Sequence, residues 1–226
     1  MAFISVFDVI GPNMIGPSSS HTAGASVIGY LARRLAPDEI EKVTFRLYGS
    51  FAKTYRGHGT DRALLGGILG YRSDDERIVN SFSHAKEAGI GFSFVPDLSE
   101  TEVHPNTADI IMECKSGKVM TVRGESLGGG KARICRIDGV EVDFTGEYHA
   151  MLVIQKDRPG VIAHVTHCLS ESKVNIAFMR LFREEKGNIA YTFVESDDPI
   201  PENVIPAVRL NGNVHDVVII PAMREV

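Results

Sequence analysis

The last third of the chain carries a hydrophobic and polar pattern that predicts six short elements. After the turn Asp157–Gly160, apolar residues recur at three- and four-residue spacing from Val161 to Leu169, which predicts a helix. The other predicted elements are the strands Tyr148–Gln155, Val174–Phe182 and Asn188–Glu195, a short helix over Pro201–Leu210, and a last strand over Asn213–Ile220. The order βαββαβ predicts a ferredoxin-like unit of about 75 residues.

The preceding residues are less regular and predict a mixture of helices and strands. Ser20 or Thr22 can cap a helix that runs to about Leu35, with Val27, Tyr30, Leu31 and Arg34 along its predicted inner side. Further predicted elements are a strand over Lys42–Tyr48, helices over Thr60–Leu69 and Glu76–Ala88, and strands over Gly91–Val95, Ala108–Cys114, Lys118–Glu125 and Arg133–Arg136. The sequence therefore predicts an α+β chain of two domains, residues 1–146 and 147–226.

Composition and charge exclude several classes of protein. The 226 residues are 43% hydrophobic, which suffices for ordinary cores, and no run of 18 apolar residues predicts a membrane span. The net charge is −5 and no block of basic residues stands out, so nucleic acid is not an expected partner. The first residues lack the basic and small-residue features of a signal peptide, and we expect a cytoplasmic protein.

The string GPSSSHTAG, residues 16–24, carries the most chemistry. Its serines form a hydroxyl-rich loop that leads into a predicted helix start, where backbone N–H groups and the helix dipole favour an anion such as a carboxylate. The positive helix end disfavours the protonated form of His21 and suits a neutral imidazole. The alternative is a serine-rich helix cap with an incidental histidine. A serine hydrolase is disfavoured because no GxSxG elbow is present.

The string GHGTD, residues 57–61, is the second candidate. Glycine on both sides of His58 allows a positive φ and a close approach to a ligand, which a core histidine rarely needs. Thr60 and Asp61 lie at a predicted helix start, where both can cap. The alternative is a plain glycine-rich turn.

These two strings together resemble the β subunit of iron–sulfur-dependent L-serine dehydratases, and the resemblance extends along the whole chain. It implies conversion of L-serine to pyruvate and ammonia, with a [4Fe–4S] cluster as Lewis acid on the substrate hydroxyl. It also relates the first domain to an allosteric-substrate-binding domain of certain phosphoglycerate dehydrogenases. The implied catalytic residues are His21, His58, Thr60 and Asp61, and the implied substrate-binding residues are Ser18, Ser19, Ser20 and Thr22.

The cysteines bear on where such a cluster is held. A [4Fe–4S] cluster needs at least three closely gathered thiolates. Cys114, Cys135 and Cys168 lie far apart in the sequence and match no metal-binding spacing. We therefore expect no metal on this chain, and a cluster ligated by a separate iron–sulfur α subunit, as in the split members of the family. The isolated chain is expected to be inactive.

The second domain resembles an ACT domain of the phosphoglycerate dehydrogenase type. In that family a loop before the helix and an asparagine at the next strand bind an amino-acid effector across a dimer of domains. The matching positions are Gln155, Asp157 and Asn175, although serine-sensing relatives have a histidine at the position of Gln155. The alternative is an ACT fold used only for self-association.

A glycine-rich stretch, residues 124–133, separates two predicted strands. Its backbone N–H groups with Lys131 and Arg133 form a possible second effector site, and the alternative is a flexible connector.

Two classes of function therefore remain open. The chain either contributes residues to a lyase site that a partner completes, or it is a non-catalytic subunit that senses an amino acid or dimerises.

Overall fold

The computed structural model describes residues 14–223, so the N-terminal residues used for the signal-peptide expectation lie outside it. The chain divides into two compact units, one ending at Gly139 and the other beginning at Val140. This division falls seven residues before the predicted domain boundary, at a turn between two strands. The predicted α+β architecture is confirmed. Within residues 14–223, no helix has the length and apolar character needed to cross a membrane.

From residue 14 onward, the first unit combines four α-helices with five strands. A π-helical turn, Ser19–Ala23, leads into α1, and a 3-10 helix, Glu76–Asn80, precedes α4. The elements are α1 (Gly24–Leu35), β1 (Ile40–Leu47), α2 (Gly49–Thr54), α3 (Thr60–Ile68), α4 (Ser81–Glu87), β2 (Gly91–Pro96), β3 (Thr107–Cys114), β4 (Val119–Gly128) and β5 (Lys131–Ile137). Helix α2 was not predicted, because its six residues are too short for a periodic pattern.

The strands of the first unit lie in the order β2-β1-β3-β4-β5, and the next strand along the chain, β6, is Val140–Phe144. Strands β1 and β2 are parallel, and β1, β3, β4 and β5 pair antiparallel in turn. The glycine-rich stretch forms the tight turn of the β4–β5 hairpin rather than a long connector. Strands β4 and β5 reach Gly128 and Lys131, which leaves two residues between them.

Helix α1 buries a different face from the predicted one. The completely buried side chains include Ile28, Leu31 and Leu35, whereas Tyr30 and Arg34 lie at the rim and bond to each other. The polar ends of these two long side chains stay in water at the rim. The small and branched apolar side chains of the buried face have no polar end that needs water.

Helices α1 and α3 approach each other closely enough to require glycine at the crossing. A Cβ on Gly29 would lie 2.2 Å from the Leu64 carbonyl oxygen, and a Cβ on Gly67 would lie 2.3 Å from the Ser26 carbonyl oxygen. Real Cβ atoms do not approach backbone so closely, so these glycines fix the distance between the two helices. The same packing fixes the segments that enter them, which carry the two candidate histidines.

The second unit contains the predicted βαββαβ order. Its elements are β7 (His149–Lys156), α5 (Val161–Glu171), β8 (Phe178–Arg183), β9 (Ile189–Ser196), α6 (Val204–Arg209) and β10 (Val214–Ile220). The sheet is antiparallel, in the order β10-β7-β9-β8, and one apolar cluster joins its strands to both helices. Strand β8 begins four residues later than predicted, since residues 174–177 form the connection from α5. Strand β6, which belongs to this unit by its contacts, was not predicted.

Candidate active site

The serine-rich loop begins α1 through a π-helical turn capped by Ser18. The Ser18 hydroxyl accepts the His21 N–H at 3.2 Å, and its carbonyl accepts the Thr22 N–H at 2.8 Å. Ser18 is therefore the cap, rather than Ser20 or Thr22, because it is the last extended residue before the turn. Several backbone N–H groups that the sequence analysis predicted to face an anion are thus bonded within the turn.

His21 is held at both ring nitrogens by hydroxyl groups. Its Nδ1 lies 3.0 Å from the Ser20 hydroxyl, and its Nε2 lies 2.9 Å from the hydroxyl of Ser50 on α2. The Phe51 ring packs edge-on against the imidazole, with ring centroids 5.3 Å apart. One ring nitrogen of a neutral imidazole donates and the other accepts, so two hydroxyls satisfy it fully.

The two candidate histidines lie in direct contact. The ring centroids of His21 and His58 are 5.0 Å apart, and the Thr22 hydroxyl donates to the His58 carbonyl at 3.0 Å. Both imidazoles are partly exposed. Gly59 has a φ of 68°, which lets the chain turn directly from His58 into α3, whereas Gly57 does not adopt a positive φ.

Electrostatics favour neutral groups around this pair. Burial lowers the pKa of His21, and the neighbouring His58 lowers it further because two cations would repel each other. Burial also raises the pKa of Asp61, which is 8% exposed, although the Arg62 N–H bonded to its carboxylate opposes this shift.

Several buried polar atoms of the first unit have no hydrogen-bond partner among the described residues. They include Ser81 Oγ at the start of α4 and, in segments that carry or adjoin the histidines, His58 Nδ1, Thr60 Oγ1, Asn106 Oδ1 and Ser126 Oγ. Buried polar groups are normally paired, so a concentration of unpaired ones indicates a missing ligand or water.

Backbone contacts bring these groups around the histidines. The Asn106 carbonyl accepts the Ser126 N–H at 2.9 Å, and the preceding Pro105 carbonyl accepts the Ser50 N–H at 2.7 Å. A Cβ on Gly24 would lie 2.0 Å from the Ser126 hydroxyl, so β4 runs directly beside the start of α1. The first unit therefore gathers His21, His58 and their neighbours from four separate segments.

Three site residues, Ser50, Asn106 and Ser126, were missed in the sequence analysis. Ser50 and Ser126 are single serines without a local motif. Asn106 follows His104 and Pro105 directly before β3, and this polar tripeptide at a strand entrance is the signal that could have identified it.

The described residues of this chain do not fit an iron–sulfur cluster. Cys114 and Cys135 lie on different strands and each approaches a different backbone carbonyl, while Cys168 belongs to the second unit. Burial raises the pKa of Cys114 and raises that of Cys135 to about 12, which opposes formation of thiolates. Between residues 14 and 223, no group of three or more His, Cys, Asp or Glu side chains is arranged to hold a metal ion.

The predicted effector residues of the second unit have different environments. Gln155 is 1% exposed and its Oε1 lacks a partner among the described residues. Asp157 accepts the Gly187 N–H at 3.0 Å and pairs with Arg183, and both interactions lower the pKa of its carboxyl. Asn175 is exposed and lines an open groove of about 480 Å³ with Thr166, Ser170, Lys173, Val174 and Ile176.

The possible second effector site near the glycine-rich turn is largely occupied by the protein itself. Arg133 lies 2.8 Å from the Glu125 carboxylate, its neighbour across the hairpin. Lys131 is exposed at the first position of β5.

The fold and site together define a class: a chain with an α+β domain that contains a pair of histidines in contact, followed by a βαββαβ domain. Comparison with known proteins identifies the family. The model of the serine dehydratase beta chain matches residues 5–133, and the ACT domain model matches residues 149–209. The chain belongs to the serine dehydratase beta chain family.

Two curated beta chains match over nearly their whole length. The L-serine dehydratase beta chain of Peptoniphilus asaccharolyticus is 41% identical over 208 residues, covering 92% of this chain and 94% of the relative. The probable L-serine dehydratase beta chain of Bacillus subtilis (strain 168) is 41% identical over 218 residues, covering 96% and 98%. A D-3-phosphoglycerate dehydrogenase of the same organism is 29% identical over 195 residues, covering 86% of this chain and 36% of the relative.

Proposed function

We propose that this chain is the β subunit of an L-serine ammonia-lyase that converts L-serine to pyruvate and ammonia. The observation that carries the proposal is the contact between His21 and His58, whose rings lie 5.0 Å apart among unpaired buried polar atoms. The family of the chain and its β-chain relatives support the same reaction. A hydrolase using Ser20 and His21 has no comparable support, because both ring nitrogens of His21 bond to hydroxyl groups and no carboxylate within residues 14–223 bonds to them.

The reaction requires a base, an acid and an anchor. A base removes the Cα proton of serine, the bond to the β-hydroxyl breaks, and water leaves. The resulting enamine tautomerises to an imine, and hydrolysis of the imine gives pyruvate and ammonia. The net change releases one ammonia and consumes no oxidant or reductant.

We assign the proton-accepting role to His58 and an orienting role to His21. His21 has hydroxyl partners at both nitrogens, so it is less available to take a proton. His58 has a ring nitrogen without a partner, and its backbone is held by Thr22 and by the turn into α3. The lowered pKa of His21 favours its neutral form, which suits an orienting role better than a proton-accepting one.

The anchor for the substrate carboxylate is assigned to the serine loop. Ser18, Ser19 and Ser20 are partly exposed at the start of α1, where the helix dipole favours an anion. Thr22 is buried and bonded to the His58 carbonyl, so it positions His58 from beneath. Asn106 and Ser126 supply further hydrogen-bonding groups that await a ligand.

The remaining requirement falls on a partner. A [4Fe–4S] cluster ligated by an iron–sulfur α subunit would supply the Lewis acid for the β-hydroxyl. This chain gathers no three thiolates in residues 14–223, so we propose that it is inactive alone and active in the complex. We further propose a cytoplasmic location, self-association through the ACT domain, and amino-acid regulation through Gln155, Asp157 and Asn175.

Anaerobic co-purification with the α subunit tests the proposal. The complex should form pyruvate from L-serine without pyridoxal phosphate, and exposure to air should abolish this activity. The isolated chain should form none. A complex that assembles with a loaded cluster but forms no pyruvate would sink the proposal and favour a purely regulatory subunit.

A further inference from the structure

An ionic network, buried except for the exposed Glu100, lies in the sheet beside the candidate site. Arg123 on β4 donates to both carboxylate oxygens of Asp109 on β3, at 2.6 and 2.9 Å. It also reaches the Glu100 carboxylate at 2.9 Å and lies over the Tyr48 ring, 4.8 Å from its centroid. The Tyr48 hydroxyl donates to Asp109 at 2.7 Å. Arg123 and Asp109 are each 9% exposed, and Tyr48 is 1% exposed.

Two segments that leave this network end at the histidine pair. Tyr48 directly precedes α2, which carries Ser50, the hydroxyl partner of His21 Nε2. Glu100 belongs to the connection between β2 and β3, which ends in Pro105 and Asn106. The Pro105 carbonyl accepts the Ser50 N–H, so the two segments are bonded to each other where they meet the site. Arg123 therefore holds both segments, one through Tyr48 and the other through Glu100.

Stability alone is a weak reason for such a network. Replacing a buried ion pair by well-packed apolar residues is often neutral or stabilising, because two charges must lose their water. What a fork of charged hydrogen bonds provides, and an apolar contact does not, is a fixed angle and distance. The position that benefits is the Ser50 hydroxyl, since small displacements at a reacting centre cost large factors in rate.

We propose that Arg123 is a positioning residue for the histidine pair, acting through Tyr48 and Glu100 to fix Ser50 and Asn106. The activity part of this inference rests on the proposed lyase function, and the spectroscopic part does not. Burial and the bond to Asp109 raise the pKa of Tyr48 to about 12, so its hydroxyl remains a donor throughout the working range of pH.

Titration of the His21 imidazole by NMR in the full chain tests the inference without the partner. In Tyr48→Phe and Glu100→Gln, the two segments that carry Ser50 and Asn106 should be held less firmly. Water should then reach His21, and its pKa should rise toward the ordinary value of 6.5. For Glu100→Gln the sign is diagnostic, because loss of a negative charge acting directly would lower that pKa. Glu113→Gln is the matched control. Its exposed pair with Lys42 joins β3 to β1, and the Tyr48–Asp109 bond likewise joins β3 to the residue that directly follows β1.

Kinetics of the reconstituted complex provide the second measurement. Per folded complex, Tyr48→Phe and Glu100→Gln should lower kcat by about tenfold with a smaller change in KM, and Glu113→Gln should change neither. The kcat of Arg123→Lys should fall at least as far as that of Glu100→Gln, because a lysine keeps the positive charge but cannot make the two parallel hydrogen bonds of the guanidinium.

The inference is overturned if the pKa of His21 and kcat per folded complex stay at parental values in Tyr48→Phe and Glu100→Gln while only thermal stability falls. Both of these variants retain the Arg123–Asp109 pair, so they keep the test decisive if Arg123→Lys does not fold. A complex whose parental form makes no pyruvate would defeat the proposed function but would leave the titration result standing.

Discussion

The two units both contain buried polar atoms without partners, but in different company. In the first unit they accompany two imidazoles in contact and a carboxyl group whose pKa is raised by burial. In the second unit they are Gln155 Oε1 and Thr192 Oγ1, two neutral groups on β7 and β9, and Nε of Arg180 on β8, a guanidinium whose other nitrogens pair with Asp143 and Glu195. A group that can change its protonation state near neutral pH can move a proton, whereas an amide or hydroxyl can only recognise a ligand.

On this contrast we propose that the first unit performs the chemistry and that the second recognises a ligand. The first unit carries the cost of unpaired and partly desolvated titratable groups, which is typical of catalytic sites. The second unit pairs its one predicted ionic effector residue, Asp157, with Arg183 and a backbone N–H. The following substitutions test the assignment, from the largest expected effect to the smallest.

Replacing the proposed base should have the largest effect. His58→Ala should lower the rate of pyruvate formation by the reconstituted complex at least about 100-fold, because a positioned base contributes that much or more. Gel filtration should show that assembly with the α subunit is unchanged. His215→Ala, which removes an exposed imidazole from β10, is the control. Retained kcat with an altered dependence on serine would assign the first unit to regulation instead.

Crowding the contact between α1 and α3 should separate the histidines. Gly67→Ala would place a Cβ 2.3 Å from the Ser26 carbonyl oxygen, so the helices must move apart. We expect a loss of about 1–3 kcal/mol in the free energy of unfolding, partly offset by the better helix propensity of alanine, together with reduced activity. Denaturant unfolding measures the loss. Gly91→Ala meets nothing closer than 3.5 Å and should be nearly neutral; equal effects of the two would contradict this account of the packing.

Removing the groove amide should affect recognition alone. Asn175→Ala should weaken binding of an amino-acid effector about tenfold, since one hydrogen bond to a charged ligand is worth roughly that factor. Calorimetric titration of the full chain with L-serine and a panel of other amino acids measures it. Asn203→Ala removes an exposed amide that makes no capping bond and should bind like the parent. If the parental chain binds no amino acid yet self-associates, the second unit serves association only.

The smallest effect concerns pH. The folded state holds the proton of Asp61 more tightly than the unfolded chain, so this group lowers stability as pH rises above the ordinary value of 3.8. In Asp61→Asn that part of the decline should be absent, and the variant should gain on the parent as pH rises. Unfolding free energies measured from about pH 4 to pH 8 would show it. The control is Asp74→Asn, which changes an exposed carboxylate. If Asp61→Asn and the parent showed the same pH profile, ionisation of the buried Asp61 carboxyl would not affect the free energy of unfolding, contrary to this prediction.

The second unit could be predicted almost completely, and the first only in part. In the second unit each predicted element has a clear hydrophobic pattern of its own, and the periodic pattern from Val161 to Leu169 coincides with the buried face of α5. The start of β8 was misplaced because the apolar residues Val174 and Ile176 pack against the core from a connection rather than from a strand. In α1 the same type of pattern suggested the wrong face, since Tyr30 and Arg34 satisfy each other at the rim.

The candidate site divides in the same way. The sequence by itself determined the chemistry: His21 in a hydroxyl-rich helix start, His58 beside a glycine that adopts positive φ, and cysteines too scattered for a cluster, because each of these depends on residue type and near neighbours. Only the tertiary structure decided that the two imidazoles touch, and that Ser50, Asn106 and Ser126 join them. Those residues come from separate strands and helices, and their meeting depends on the close packing of α1 on α3 and on strand register, which no local pattern encodes.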